Sequence, residues 1–153
     1  MKEKTCCVTG HREIPADKMD YVTAELRKEI SAAAADGYTR FISGFAEGVD
    51  LTFAAIVAEL KAQGQPLVLE AAIPYAGRLK SKDSFFQKML SVSDRQKVLC
   101  DRYSYDCCFV RNRYMVDESS RVIAVYDGRA GGGTSYTVRY ANTQGRALRV
   151  IEL

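Results

Sequence analysis

The sequence has no run of the roughly 18 apolar residues that a membrane-spanning helix needs, so no place across a bilayer is expected. Its opening, MKEKTCCVTGHR, turns charged too soon for the apolar core of a secretory signal, and a cytoplasmic address is the expectation. Net charge is small: 22 Lys and Arg against 19 Asp and Glu leave +3, which is not the balance of a dedicated nucleic-acid binder with a basic stripe. Cysteine is present but without a metal-binding arrangement. Cys6, Cys7, Cys100, Cys107 and Cys108 are odd in number, four of them form adjacent pairs, and no C-x-x-C or Cys/His zinc spacing occurs. Reduced thiols and no bound metal are therefore expected. Histidine occurs once, at His11, which is too little to assign a general base. No internal repeat, low-complexity tract or linker divides the chain.

What is present is the composition of a globular domain. Hydrophobic residues make up 47% and charged residues 27% of 153 positions, enough for one domain, residues 1–153, with a real core. Short apolar runs alternate with amphipathic stretches. KTCCVTG (4–10) reads as a strand, and Asp17 then opens a helix in which Met19, Val22, Leu26, Ile30 and Ala33 recur at helical spacing. RFISG (40–44) reads as a second strand, followed by a helix whose Val49, Phe53, Ile56, Val57 and Leu60 form one face. PLVLEAAIP (66–74) is strand-like, the polar loop YAGRLKSKD leads into a short helix, and QKVLC (96–100) is a fourth strand. A helix follows from Cys107 to about Asp117, then the strand RVIAVY, a glycine turn opening the last helix, and a final strand ALRVIEL (147–153). Such alternation predicts an α/β fold: a mainly parallel sheet of five to six or more strands covered by helices on both faces. Strand order is not fixed by the pattern, and a Rossmann-like three-layer arrangement is expected by analogy.

In such sheets ligands bind at the carboxyl ends of the strands, where the order reverses. Four loops belong on that rim: Thr9-Gly10-His11-Arg12, Ser43-Gly44-Phe45-Ala46-Glu47-Gly48-Val49-Asp50, Pro74-Tyr75-Ala76-Gly77, and the turn Gly131-Gly132-Gly133-Thr134. Glycines at a helix start remove Cβ atoms, so backbone N–H groups there close around an anion, usually a phosphate. Asp50 stands at a helix start, where capping is favoured over a hydrogen bond to a sugar hydroxyl. After Lys97 every basic residue is arginine, Arg111 and Arg129 included, and arginine's planar fork suits phosphate and carboxylate. Taken together these features point to an anion-bearing ligand.

SGFAEGVD, RNRYMVDESSRVIAVYDG and the GGGT turn, with the early TGHR and the IPYAG turn, resemble the SLOG superfamily of Rossmann-like nucleotide-ligand proteins, and most closely its YpsA-like branch. The resemblance runs over nearly the whole chain. It implies a pocket for a nucleotide or nucleotide-derived ligand such as NAD or ADP-ribose. Gly131, Gly132, Gly133 and Thr134 would lie on the phosphate, with Gly44, Gly48 and Asp50 lining the site and Arg111 and Asn112 matching the family's arginine–asparagine pair. It also implies a sensing role in stress response or cell division, signalling through a protein partner or a homo-oligomer. Related branches hold the Lonely Guy phosphoribohydrolases and the DNA-processing protein A group, which binds single-stranded DNA. The chain departs from the phosphoribohydrolase pattern PGGxGTxxE: Thr137 stands where the glutamate would be, and Ala130 replaces the proline region. A threonine has no carboxylate to stabilise oxocarbenium charge, so the balance is against hydrolysis. Glu47 and Glu70 are the carboxylates that would substitute, Glu47 being the stronger, although a solvent-facing loop residue for Glu47 and a strand residue either paired or turned to solvent for Glu70 are the plainer readings. Nucleotide or N-glycosidic hydrolysis and single-stranded DNA binding remain the alternatives.

Overall fold

A computed structural model describes residues 3–153. The strands are β1 (Thr5–Gly10), β2 (Arg40–Ser43), β3 (Val68–Tyr75), β4 (Arg95–Cys100), β5 (Arg121–Tyr126) and β6 (Ala147–Glu152). The helices are α1 (Met19–Ala35), α2 (Val49–Ala62), α3 (Ser84–Val92), α4 (Cys107–Glu118) and α5 (Gly133–Thr143). All six strands pair in parallel in the order β4-β3-β2-β1-β5-β6. The chain thus steps outward from β1 to β4, crosses back to lay β5 against the other side of β1, and finishes on β6.

The α/β expectation is met as a three-layer, Rossmann-like arrangement. β1 shows how sequence imposes it: Cys6 and Val8 point into one core cluster and Cys7 into another, all three fully buried. A strand covered on both faces has no polar side to present, so it reads as an unbroken apolar run. The larger cluster joins Leu26 and Ile30 of α1, Phe53 and Val57 of α2 and Phe86 of α3 to Phe41, Leu69 and Ile73 of the sheet. The smaller joins Met115 and Val116 of α4 and Ala141 of α5 to Ile42, Ala72 and Val122. Burial pushes the Cys7 thiol up to about 12, which keeps it an uncharged, unreactive core residue.

Local boundaries shift where turns intervene. The residues around Asp17 form a 3₁₀ turn, Ala16–Lys18, and the α-helix proper begins at Met19. The polar loop after β3 contains a second 3₁₀ turn, Ala76–Lys80. Glu70 is neither solvent-facing nor near the rim: it is buried in β3, accepting from Arg40 Nε at 2.9 Å and from the Tyr114 hydroxyl at 2.5 Å. That pairing fits the rule that a buried carboxylate needs a cation and hydrogen bonds. β4 and β6 are the sheet's edges. Among the described residues no helix is long and apolar enough to cross a membrane.

Candidate functional site

The order of the strands along the chain reverses between β1 and β5, so the loops that follow their carboxyl ends run to opposite faces and leave a crevice. Helix α2 starts hard against this crevice. A Cβ on Gly10 would fall 2.6 Å from Val49 Cγ1, so the missing side chain is what lets α2 approach the end of β1. Gly48 has φ +81, and a Cβ there would lie 2.5 Å from the Arg12 carbonyl oxygen; only glycine fits both demands.

Asp50 does not cap this helix. Gly48 is the N-cap residue, and the Asp50 carboxylate, at the second position of the helix, turns back to accept from Ala46 N at 3.3 Å. Below it the loop is tied down by Ser43, whose hydroxyl donates to the Asp50 carbonyl at 2.7 Å and accepts from Phe45 N at 3.2 Å. Phe45 is the one non-glycine residue described with positive φ, +57. This strained turn is held by its ring packing edge-on against Phe86 at 5.9 Å.

From the opposite layer, Arg111 of α4 reaches into the same turn. Its Nη1 donates to the Gly44 carbonyl at 2.7 Å and its Nε to Asn112 Oδ1 at 2.7 Å, while the residue is only 4% exposed. Nη2 has no protein partner among the described residues. A Cβ on Gly44 would lie 2.7 Å from Arg111 Nη1 and 2.8 Å from Asp50 Oδ2, so the two opposite charges flank a bare α-carbon without forming a direct ion pair. Burial raises the Asp50 carboxyl to about 6, against the opposing pull of Arg111, the Ala46 amide and Arg12.

His11, just past β1, lies against Asp127, just past β5, bridging the reversal point. Its Nε2 is 3.2 Å from Asp127 Oδ1 and 3.4 Å from Asp127 N. Burial and then the Arg129 charge lower the imidazole's pKa, with Asp127 pulling the other way. Neutral at pH 7, the imidazole accepts the Asp127 backbone N–H at Nε2. The hydrogen bond from Arg129 holds Asp127 far below the usual carboxylate range.

Beyond Arg129 the chain enters α5. Gly132 is its N-cap, with φ +98, and no side chain caps the helix. The N–H groups of Gly133, Thr134 and Ser135 have no helical partner, as at any helix start, and among the described residues nothing beyond their own chain neighbours and helix backbone comes within 4 Å of where Cβ atoms on Gly131, Gly132 or Gly133 would stand. The Thr137 hydroxyl, by contrast, is buried and donates to the Gly133 carbonyl at 2.9 Å.

These pieces enclose a cleft with two adjoining lobes. The first, about 430 Å³, brings together Gly10, His11, Asp50, Asn112 and the Gly132-Gly133-Thr134 turn, with Phe109 on one wall. The second, about 400 Å³, holds Gly44, Glu47, Pro74, Tyr75, Arg78 and Tyr103. Arg12, Ala46, Cys108 and Arg111 line both and form the partition between them. Ser43, Gly48, Gly131 and Thr137 line neither lobe: the first two build the turn beneath, Gly131 lies on the outer side of the glycine bend, and Thr137 faces its own helix. Sequence reasoning did not single out Tyr103, Cys108, Phe109 or Asp127 for the site. The run DRYSYDCCF carried a signal for three of them, placing aromatics and thiols where β4 gives way to α4.

Chemically the cleft offers two guanidiniums on its partition, a third at Arg129 in the first lobe and a fourth at Arg78 in the second, an open helix N-terminus, a neutral imidazole and a buried carboxyl. Such a set binds anions and hydrogen-bonds sugar hydroxyls.

A family model described as the YspA SLOG family matches residues 6–150. UPF0398 proteins of Bacillus thuringiensis (strain Al Hakam) and Bacillus cereus (strain AH187) are each 26% identical over 155 residues, covering 93% of this chain and 84% of their own. Among solved structures, DNA processing protein A from Helicobacter pylori, described for its single-stranded DNA binding mode, matches with a TM-score of 0.69 at 17% identity, over 98% of this chain and 66% of that one. The X-ray structure of TM1055 matches with a TM-score of 0.60 at 15% identity, over 95% of this chain and 72% of that one. At those identities the likeness is one of fold.

Proposed function

This chain belongs to the YspA SLOG family, and from that premise we propose that its cleft binds a nucleotide or nucleotide-derived ligand, NAD and ADP-ribose being representative, as a sensing rather than a hydrolytic domain. The observation that carries the reading is the uncapped start of α5, which opens into the same lobe as Arg12 and Arg111. Free backbone N–H groups and the helix dipole favour a phosphate there, and the arginines add charge-assisted hydrogen bonds. Gly132 supplies the φ that the bend requires and leaves it open to the ligand.

The binder reading over the hydrolase rests on Thr137, whose hydroxyl is committed to Gly133 where the phosphoribohydrolase pattern has a glutamate. Thermal-shift measurement against a panel of nucleotides, NAD and ADP-ribose tests both. A rise in melting temperature with one ligand, lost in Gly132→Asp, is expected. No rise with any member would overturn the binding reading, and release of free base from adenosine monophosphate, abolished by Glu47→Ala, would replace it with the enzymatic one.

Single-stranded DNA is the second reading. It draws on the likeness to DNA processing protein A and on Tyr103, 71% exposed on the arginine-lined second lobe, with Tyr105, 90% exposed, two residues further along the chain. Aromatic faces beside cations suit unpaired bases. A mobility shift with an oligonucleotide that weakens steeply as salt rises would favour it.

A further inference from the structure

We propose that the second lobe is a ring-binding subsite, so that the ligand of this cleft carries two ring systems joined through phosphate. The inference rests on the nucleotide reading above and narrows it. Four observations carry it. First, the lobes are separate cavities of similar size, about 430 and about 400 Å³, that share a wall, and the phosphate seat at α5 belongs to the first lobe alone. A one-ring nucleotide anchored there leaves the second lobe unused.

Second, the second lobe is built for an aromatic guest. Tyr75, at the end of β3, and Tyr103, on the β4–α4 loop, meet edge to face with centroids 5.4 Å apart. Pro74 adds an apolar surface beside them, and Tyr103 remains 71% exposed. A large aromatic held in place by a neighbouring ring but left open is a stacking platform, and stacking of this kind accepts any base. Glu47, exposed on the same lobe, supplies a hydrogen-bond acceptor for a hydroxyl or an amino group.

Third, the partition is cationic. Arg12 and Arg111 line both lobes, and Arg111 is nine-tenths buried with Nη2 free of any protein partner among the described residues. A guanidinium whose stem is buried and whose remaining donor opens to the cleft is placed to bind an anionic acceptor. Its place on the partition puts that anion between the two ring sites. Fourth, the first lobe has an aromatic wall of its own in Phe109, so aromatic surfaces flank the arginines on either side.

The shared chemistry, ring–phosphate–ring, belongs both to 5′,5′-linked dinucleotides and to stretches of a 3′,5′-linked strand. Calorimetric titration of the full chain with three probes tests the inference: adenosine 5′-monophosphate, diadenosine 5′,5′-diphosphate and adenylyl-3′,5′-adenosine. At least one two-ring probe is expected to bind about tenfold or more tighter than the monophosphate, the size of one added stacking contact. Tyr103→Ala should lower the affinity of the two-ring probe about tenfold, and by more than it lowers that of the monophosphate; Tyr103→Phe should preserve the advantage. Preference for the 5′,5′ compound identifies a dinucleotide as the source, and preference for the 3′,5′ compound identifies a strand. If the monophosphate binds as tightly as both two-ring probes, or if Tyr103→Ala weakens all three equally, the subsite is overturned while nucleotide binding stands. If none of the three binds and the wider panel gives no thermal shift, the nucleotide reading falls and this inference with it.

Discussion

Arg111 Nη1 donates to the carbonyl oxygen of Gly44 at 2.7 Å, tying α4 on one layer to the end of β2 across the floor of the cleft. The bond passes through the space that a side chain at residue 44 would need, which ties one backbone position to the placement of two opposite charges.

Gly44→Ala should therefore displace the Arg111 tip and the Asp50 carboxylate together, since its Cβ would fall 2.7 and 2.8 Å from them. Both are side-chain ends that can move, so the fold should survive at a cost of about 1–3 kcal/mol. Urea unfolding checks the stability and the nucleotide-induced thermal shift checks the site. Wild-type stability with an undiminished shift would mean that the guanidinium is not held as described.

A graded series of alanines separates packing glycines from open ones. Gly48→Ala combines a left-handed φ of +81 with a 2.5 Å approach to the Arg12 carbonyl oxygen, backbone against backbone, and should lose on the order of 3 kcal/mol. Gly131→Ala meets nothing within 4 Å and is not at a positive φ, so it should be neutral or gain a few tenths of a kcal/mol through the unfolded chain. Urea midpoints in any other order would contradict the geometry.

The only histidine in the sequence makes its titration unambiguous by proton NMR. His11 should titrate below 6.5, because burial and the Arg129 charge disfavour the imidazolium. Arg129→Ala should move the midpoint up and Asp127→Asn should move it further down. The folded pKa is depressed, so the unfolded chain takes up the proton first, and stability from this group falls as pH drops below 6.5. A midpoint above 6.5 would show that the Asp127 contact dominates instead.

Asp50 acts in the opposite sense. Its carboxyl is raised from 3.8 to about 6, so the folded protein holds the proton more tightly than the unfolded chain. The stabilisation is complete below about pH 3.8, shrinks as pH rises and is gone above about 6, a swing of up to about 3 kcal/mol. Unfolding free energies of the wild type and Asp50→Asn, measured from pH 4 to 8, should converge or cross within that window and run parallel above it. Parallel lines throughout would mean that Arg111 fully offsets the burial.

The strands were legible because a sheet covered on both faces demands continuous apolar runs, and CCV and RVIAVY are such runs. Their order was not: nothing in the period of side chains says that β5 returns beside β1, so the meeting of His11 with Asp127, 116 residues apart, was invisible. Glycine was legible as missing bulk but not as to what uses the space. Gly10 and Gly48 make room for Val49 and the Arg12 backbone, while Gly132 borders the open space of the cleft, and the sequence writes all three with one letter. Asp50 followed the capping pattern, yet Gly48 took the cap and left the carboxylate to Ala46. Tyr75 and Tyr103 come from loops after different strands, and only the fold brings their rings together.

The rims of the sheet carry a consequence of their own. β4 turns Arg95, Gln96 and Lys97 outward, and β6 exposes Arg149 and Glu152. Charged flanks of this kind discourage a foreign strand from zipping onto the unpaired backbone, so the molecule should stay dispersed when concentrated and resist fibrous self-association.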